Sequence, residues 1–239
     1  FSFLLIDIYS TSLFSIGVSY MAPRKRQKSS SSNKFHMEFK NTAQKLAWAA
    51  FQQHDVLFLT GPAGVGKTHL AMAFAISELL QKNCKRIILT RPIVESGENL
   101  GFLPGDFQEK VDPYMSPLYD VLGKLVGYQG PQREEVEKCI EVAPIAYMRG
   151  RTFDDSICIF DESQNATKGQ LTLFMSRFGE NSKLIITGDP MQSDIGNRTG
   201  LVDVMTRLET LKGIGIIRFK NDNIVRHPLV GQILDKLSE

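Results

Sequence analysis

Cysteine is scarce in this chain. Its 239 residues include only Cys84, Cys139 and Cys158, with no C-x-x-C pair and no metal-ligand spacing. A disulfide framework is thereby excluded, and the sparse, odd count suits a reducing cytosol. Charge of one sign is also missing. The net charge of +2 provides no global basic field to argue for nucleic acid. Basic residues cluster only locally, at Arg24, Lys25, Arg26 and Lys28. A convincing membrane span is absent as well. Residues 1–20 have the length of one, but they carry Asp7 and five serines. An Asp near a span centre costs about 3 kcal/mol. As a signal peptide the same stretch lacks a basic start and a small-residue cleavage site. The chain does not begin with Met, and Met21 opens a plausible start, so residues 1–20 read as translated upstream sequence or a cloning remnant. Residues 21–39 are basic and then serine-rich, a disordered arm. What is left, residues 41–239, has ordinary apolar and charged content and length enough for one full core. A cytoplasmic protein without a membrane partner is expected.

The informative stretch is Gly61-Pro62-Ala63-Gly64-Val65-Gly66-Lys67-Thr68, which fits G-x-x-x-x-G-K-[ST]. Residues 54–60 before it form an apolar run that reads as a buried strand. Residues 69–80 after it lack Gly and Pro and read as a helix. Glycines let backbone N–H groups turn towards phosphates, and the helix N-terminus adds partial positive charge. Lys67 would reach the β- and γ-phosphates, and the Thr68 hydroxyl would hold Mg²⁺. ATP and Mg²⁺ are the expected ligands.

A second landmark is residues 156–160, a buried strand that ends in Asp161-Glu162. Asp161 would bind Mg²⁺ through water, and Glu162 would orient or deprotonate the attacking water. A third strand, residues 183–187, runs into Gly188-Asp189-Pro190-Met191-Gln192. Polar residues leaving the carboxyl end of a central strand face the ligand crevice, so Thr187, Asp189 and Gln192 are candidate γ-phosphate sensors. Ahead of the loop, residues 43–52 form an amphipathic helix with Asn41 as N-cap. There Gln44 resembles the adenine-reading glutamine of many helicases, since one amide both donates and accepts.

Further strands are expected over residues 86–90, 142–147 and 214–219, with helices over 118–126, 133–138, 168–177 and 201–211, and a last helix after Arg226-His227-Pro228. A long Gly- and Pro-rich excursion, residues 93–130, leaves the second strand. Strands alternating with helices imply crossover units and a mostly parallel central sheet flanked by helices, an α/β fold.

Several motifs together resemble the PhoH family. They are the phosphate loop; Arg91-Pro92 with Gly101-Phe102-Leu103-Pro104-Gly105-Asp106; Pro113-Tyr114 and Pro117-Leu118-Tyr119-Asp120; residues 143–152, Ala-Pro-Ile-Ala-Tyr-Met-Arg-Gly-Arg-Thr; and Asp161-Glu162-Ser163-Gln164-Asn165. The match runs from about Asn41 onward. Ser163 stands where the family usually has Ala, and Met191 where it often has Thr. The resemblance implies a RecA-like P-loop NTPase core related to superfamily-one helicases. It further implies ATPase activity, RNA-directed activity in parts of the family, and ring-shaped hexamers.

Two functions compete: an ATPase remodelling RNA or single-stranded nucleic acid in a ring, and an ATP-gated assembly module regulating a protein partner. A nucleotide kinase fits less well, because the Asp-Glu pair argues for activated water. Some fifty residues follow Gln192, too few for another RecA-like domain, so a charge-stabilising arginine would come from the same domain or a neighbouring subunit. Arg226 resembles the family's late arginine, with Arg149 and Arg151 as rivals.

Overall fold

Short apolar runs form the sheet. In the computed structural model, which describes residues 35, 37–92, 107–196 and 199–225, the strands are β1 (Val56–Thr60), β2 (Arg86–Thr90), β3 (Ile140–Val142), β4 (Ser156–Phe160), β5 (Lys183–Gly188) and β6 (Ile214–Arg218). They make one six-stranded sheet in the order β3-β2-β4-β5-β1-β6. Every pairing is parallel. All five residues of β1 and of β4 are buried. Continuous apolar strands are what a sheet covered on both faces requires.

Alternate residues serve opposite faces. Leu57, Leu59, Ile157, Ile159 and Ile185 join one core, while Val56, Phe58, Cys158, Phe160, Leu184 and Ile186 join the other. The first core takes in helices α1 (Thr42–Gln53), α2 (Lys67–Leu80) and part of α3 (Phe107–Val126). Here Trp48, Phe51 and Phe74 pack as a triad with ring centroids 5.1–5.6 Å apart. The second core is covered by α5 (Lys168–Met175) and α6 (Leu201–Leu208). Helix α2 has every residue from Leu70 to Leu79 buried, which fixes its N-terminus against the sheet.

Several expected bounds need correction. The strand expected over residues 142–147 is instead β3 (Ile140–Val142) followed by a 3₁₀ turn, Ile145–Met148. Pro144 stands between them; it has no N–H to give a ladder, so pairing stops at the bond from Ala143 N–H to the Leu89 carbonyl. The helix expected over residues 118–126 begins at Phe107 and passes through Pro113 and Pro117. An interior proline costs about 3 kcal/mol, which is why the pattern alone starts the helix later. The turn or two expected over residues 133–138 is α4, Pro131–Glu137, with proline in its first turn. Helices α5 and α6 stop two or three residues short of the expected ends, and β1 starts at Val56 rather than residue 54. The readings of residues 1–34, the Gly101–Asp106 motif and the last helix lie outside the described residues.

Candidate functional site

The phosphate loop leaves β1 at its carboxyl end and enters α2 directly. Gly61, Gly64 and Gly66 all have positive φ, at 139°, 87° and 90°. At Gly61 a side chain is excluded on steric grounds too, since a Cβ would lie 2.5 Å from the Phe219 carbonyl oxygen. Gly66 caps α2 without a side chain, so no cap side chain takes up the helix's first N–H groups. The Lys67 ammonium donates to the carbonyls of Gly61 (2.6 Å) and Pro62 (2.9 Å), lying across the loop mouth. Val65 is fully buried beneath the loop.

Strand β4 brings the acidic pair to this loop. Asp161 accepts at Oδ1 from the Thr68 hydroxyl (2.8 Å) and from the Thr187 hydroxyl. Burial pushes the Asp161 carboxyl up from the ordinary range, and the adjacent Glu162 charge adds to the rise; the two hydroxyls and Arg91 pull the other way. A buried carboxylate in this position favours a nearby cation. The Thr68 and Asp161 oxygens are hard donors of the kind Mg²⁺ takes alongside phosphate and water. Among the described residues no group of three or more His, Cys, Asp or Glu could hold a metal. The Thr68 and Asp161 oxygens would suit a magnesium ion held jointly with a nucleotide.

Past Asp161 the chain turns sharply, with Glu162 in the left-handed region at φ 52°. The turn is tied to the segment after β5. Ser163 donates to the Thr187 carbonyl (2.6 Å), and Gln164 accepts from Asp189 N–H (3.0 Å). Asn165 and Asp194 exchange two bonds, of 2.7 and 2.8 Å. The Asp189 carboxylate accepts from Met191 N–H (3.0 Å) and so shapes its own loop.

A cavity of about 420 Å³ collects these groups: Gln44, Ala63, Gly64, Gly66, Lys67 and Thr68 on one side, Asp161, Glu162, Asp189 and Gln192 on the other. Gly61 and Pro62 border a second cavity of about 510 Å³ next to it, which Asp189 and Gln192 also line. Thr187 faces Asp161 rather than the cavity. Gln44 is in place but occupied: its amide oxygen accepts from Lys40 N–H (2.8 Å) and its nitrogen donates to the Val65 carbonyl (3.1 Å). It braces the loop as well as facing the cavity. Arg151 pairs with Glu141 (2.5 Å) and sits 4.7 Å from the Phe153 ring centre. Arg149 is exposed, and Arg226 lies outside the described residues.

Sequence reasoning missed Glu38, Lys40, His69, Val121 and Val225, which line the same cavity. Burial lowers the His69 pKa, as do the Lys124 and Lys40 charges, so its imidazole is held neutral. His69, Val121 and Val225 each adjoin a motif but are not part of one, and Glu38 and Lys40 come from the segment ahead of α1.

The profile of the PhoH-like protein family matches residues 36–238. A PhoH-like protein of Bacillus subtilis (strain 168) is 48% identical over 198 residues, covering 82% of this chain and 62% of that protein. Protein PhoH of Escherichia coli (strain K12) is 43% identical over 204 residues, covering 83% of this chain and 57% of that protein. The chain thus spans about three fifths of the length of these relatives. Among solved structures, the large terminase of a thermophilic bacteriophage superposes with a TM-score of 0.54 at 15% identity, over 83% of this chain and 50% of that one. That likeness concerns the P-loop NTPase fold; the terminase has also been solved with ADP. Matched by that profile over residues 36–238 and 48% identical to a relative over 82% of its length, the chain belongs to the PhoH-like protein family.

Proposed function

We propose that this chain is a Mg²⁺-dependent ATPase. One observation carries the reading: the hydroxyl of the phosphate-loop residue Thr68 meets the β4 carboxylate of Asp161 at 2.8 Å, with Glu162 beside them on the same cavity. Thr68 directly, and Asp161 through water, would hold Mg²⁺, which supplies charge neutralisation at the phosphate oxygens. Lys67 would exchange the Gly61 and Pro62 carbonyls for the β- and γ-phosphates. Glu162 would accept the proton of the attacking water at a carboxylate oxygen. Gln192 and Asp189, on the loop tied to Glu162's turn, would report the γ-phosphate.

We further propose that hydrolysis serves RNA or single-stranded nucleic-acid remodelling in a cytoplasmic homo-oligomeric ring, with Arg226 acting on the neighbouring subunit's nucleotide. The alternative is an ATP-gated module for a protein partner. Met191 favours it, being 90% exposed on the loop that would sense nucleotide. One set of turnover measurements tests all of this. Lys67→Ala abolishes hydrolysis and weakens ATP binding, whereas Glu162→Gln keeps ATP bound and lowers turnover at least about a hundredfold. Unchanged turnover in Lys67→Ala would sink the assignment. Single-stranded RNA raises turnover under the remodelling reading and leaves it unchanged under the other. Mixing Lys67→Ala with Arg226→Ala protein restores turnover if the arginine acts in trans; mixed oligomers without recovery rule that out.

A further inference from the structure

We propose that Arg91 is a positioning residue for hydrolysis, holding the Glu162 carboxylate at the cavity as one half of a two-donor clamp completed by Gln164. The inference rests on the hydrolytic reading of Glu162. Its basis is the sheet itself. Strands β2 and β4 are parallel neighbours with Thr90 opposite Phe160, and Asp161 N–H donates to the Thr90 carbonyl (3.0 Å). The two chains therefore leave the sheet side by side, which sets Arg91 against the turn that follows Asp161. Arg91 Nη2 donates to Glu162 Oε1 at 3.3 Å. Gln164 Nε2 donates to the other oxygen, Oε2, at 2.5 Å.

The orientation of Gln164 is not arbitrary. Its Oε1 faces a backbone N–H, that of Asp189, which can only donate; the nitrogen end must then point at Glu162. Gln164 is itself buried, so this half of the clamp is anchored to the loop after β5. Arg91 anchors the other half to β2. Between them the clamp uses one lone pair on each oxygen, of the about four sites an ionised carboxylate offers. Glu162 keeps acceptor capacity for water. A pinned carboxylate is needed here because its backbone holds a left-handed conformation unusual for glutamate, and its side chain is partly exposed. Glu162 borders the cavity, and Arg91 meets it through the Glu162 carboxylate.

The test is steady-state ATP turnover by the full chain. Arg91→Ala is expected to lower kcat about 10–100-fold while KM for ATP stays within about twofold, the pattern of a misplaced group rather than a lost ligand contact. Arg91→Lys, which keeps the charge, recovers part of the loss. Arg91→Gln removes the charge and is too short to reach Glu162 as the guanidinium does; it shows the same loss as Arg91→Ala and stands in if the alanine variant does not fold. Single-turnover measurements in a Glu162→Gln background show no further loss from Arg91→Ala, because the group being positioned is already disabled. Wild-type kcat in both neutral variants overturns the proposal, as does a loss confined to KM or a full additional loss on top of Glu162→Gln. If Glu162→Gln alone retains wild-type turnover, the hydrolytic reading of Glu162 falls and takes this inference with it. An inactive Glu162→Gln beside a fully active Arg91→Ala refutes the inference alone.

Discussion

Gly61 leaves no space for a single methyl group. A Cβ there would approach the Phe219 carbonyl carbon and oxygen to 3.0 and 2.5 Å, at a φ of 139° that other residues rarely adopt. Backbone sits on the other side of that contact and cannot rotate away. Gly61→Ala is therefore expected to destabilise the fold by about 1–3 kcal/mol and to weaken ATP binding. Urea unfolding and a nucleotide titration check it; a variant with unaltered midpoint and affinity would refute the close approach. This contact also marks what was legible at the residue scale. The loop and Asp161-Glu162 stand out because each is a contiguous run, and the fold brings both to one cavity. Gln44 lines the cavity, but its amide already bonds Lys40 and Val65, partners the sequence does not announce. Partners such as Phe219 for Gly61, or Arg91 for Glu162, are joined only through strand adjacency, and no local pattern encodes that.

At the scale of elements, α1 depends on α2. Phe74 of α2 is fully buried and lies 5.2 Å from Phe51 and 5.1 Å from Trp48, both on α1. Phe74→Ala removes the shared ring and leaves a cavity between the two helices. The expected cost is about 3–5 kcal/mol, measured by urea unfolding; a loss below about 1 kcal/mol would mean the helices close over the gap. Since α2 carries Lys67 and Thr68 at its start, ATP affinity falls with it. Strands and helices with clean periodicity were legible here. Two places were not, and proline explains both. Pro144 cuts β3 short within an otherwise strand-like run, while α3 continues through Pro113 and Pro117. The later turns of α3 pack Leu118 and Leu122 into the core that α2 shares, a tertiary contact the local sequence does not show.

For the whole molecule, the parallel alternation of strands and helices was readable, but strand order was not, because apolar runs of five residues are interchangeable as sequence. The order matters to function. It sets β1 between β5 and β6, so the loop after β1 is supported by Gly188 on one side and Phe219 on the other. A ligand gripped by such a site stabilises the folded state as a unit. ATP with Mg²⁺ at about a hundred times its Kd should add about 2.7 kcal/mol. Thermal melting with increasing nucleotide should show a rising Tm, abolished in Lys67→Ala. A flat Tm in the unaltered protein would argue against nucleotide in this cavity.

Val225 N–H donates to the Gly64 carbonyl (3.0 Å), and Asn41 Nδ2 donates to the Asn223 carbonyl (3.2 Å). These bonds bear on the order of events on the ribosome. The phosphate loop is made early, yet its last backbone partner is made about 160 residues later, roughly eight to thirty seconds at ordinary synthesis rates. Until residue 218 has cleared the exit tunnel the loop lacks β6, and until residue 225 has, it lacks this bond. A nascent chain arrested before β6 should accordingly fail to retain ATP, although residues 61–68, Asp161 and Glu162 have already been translated.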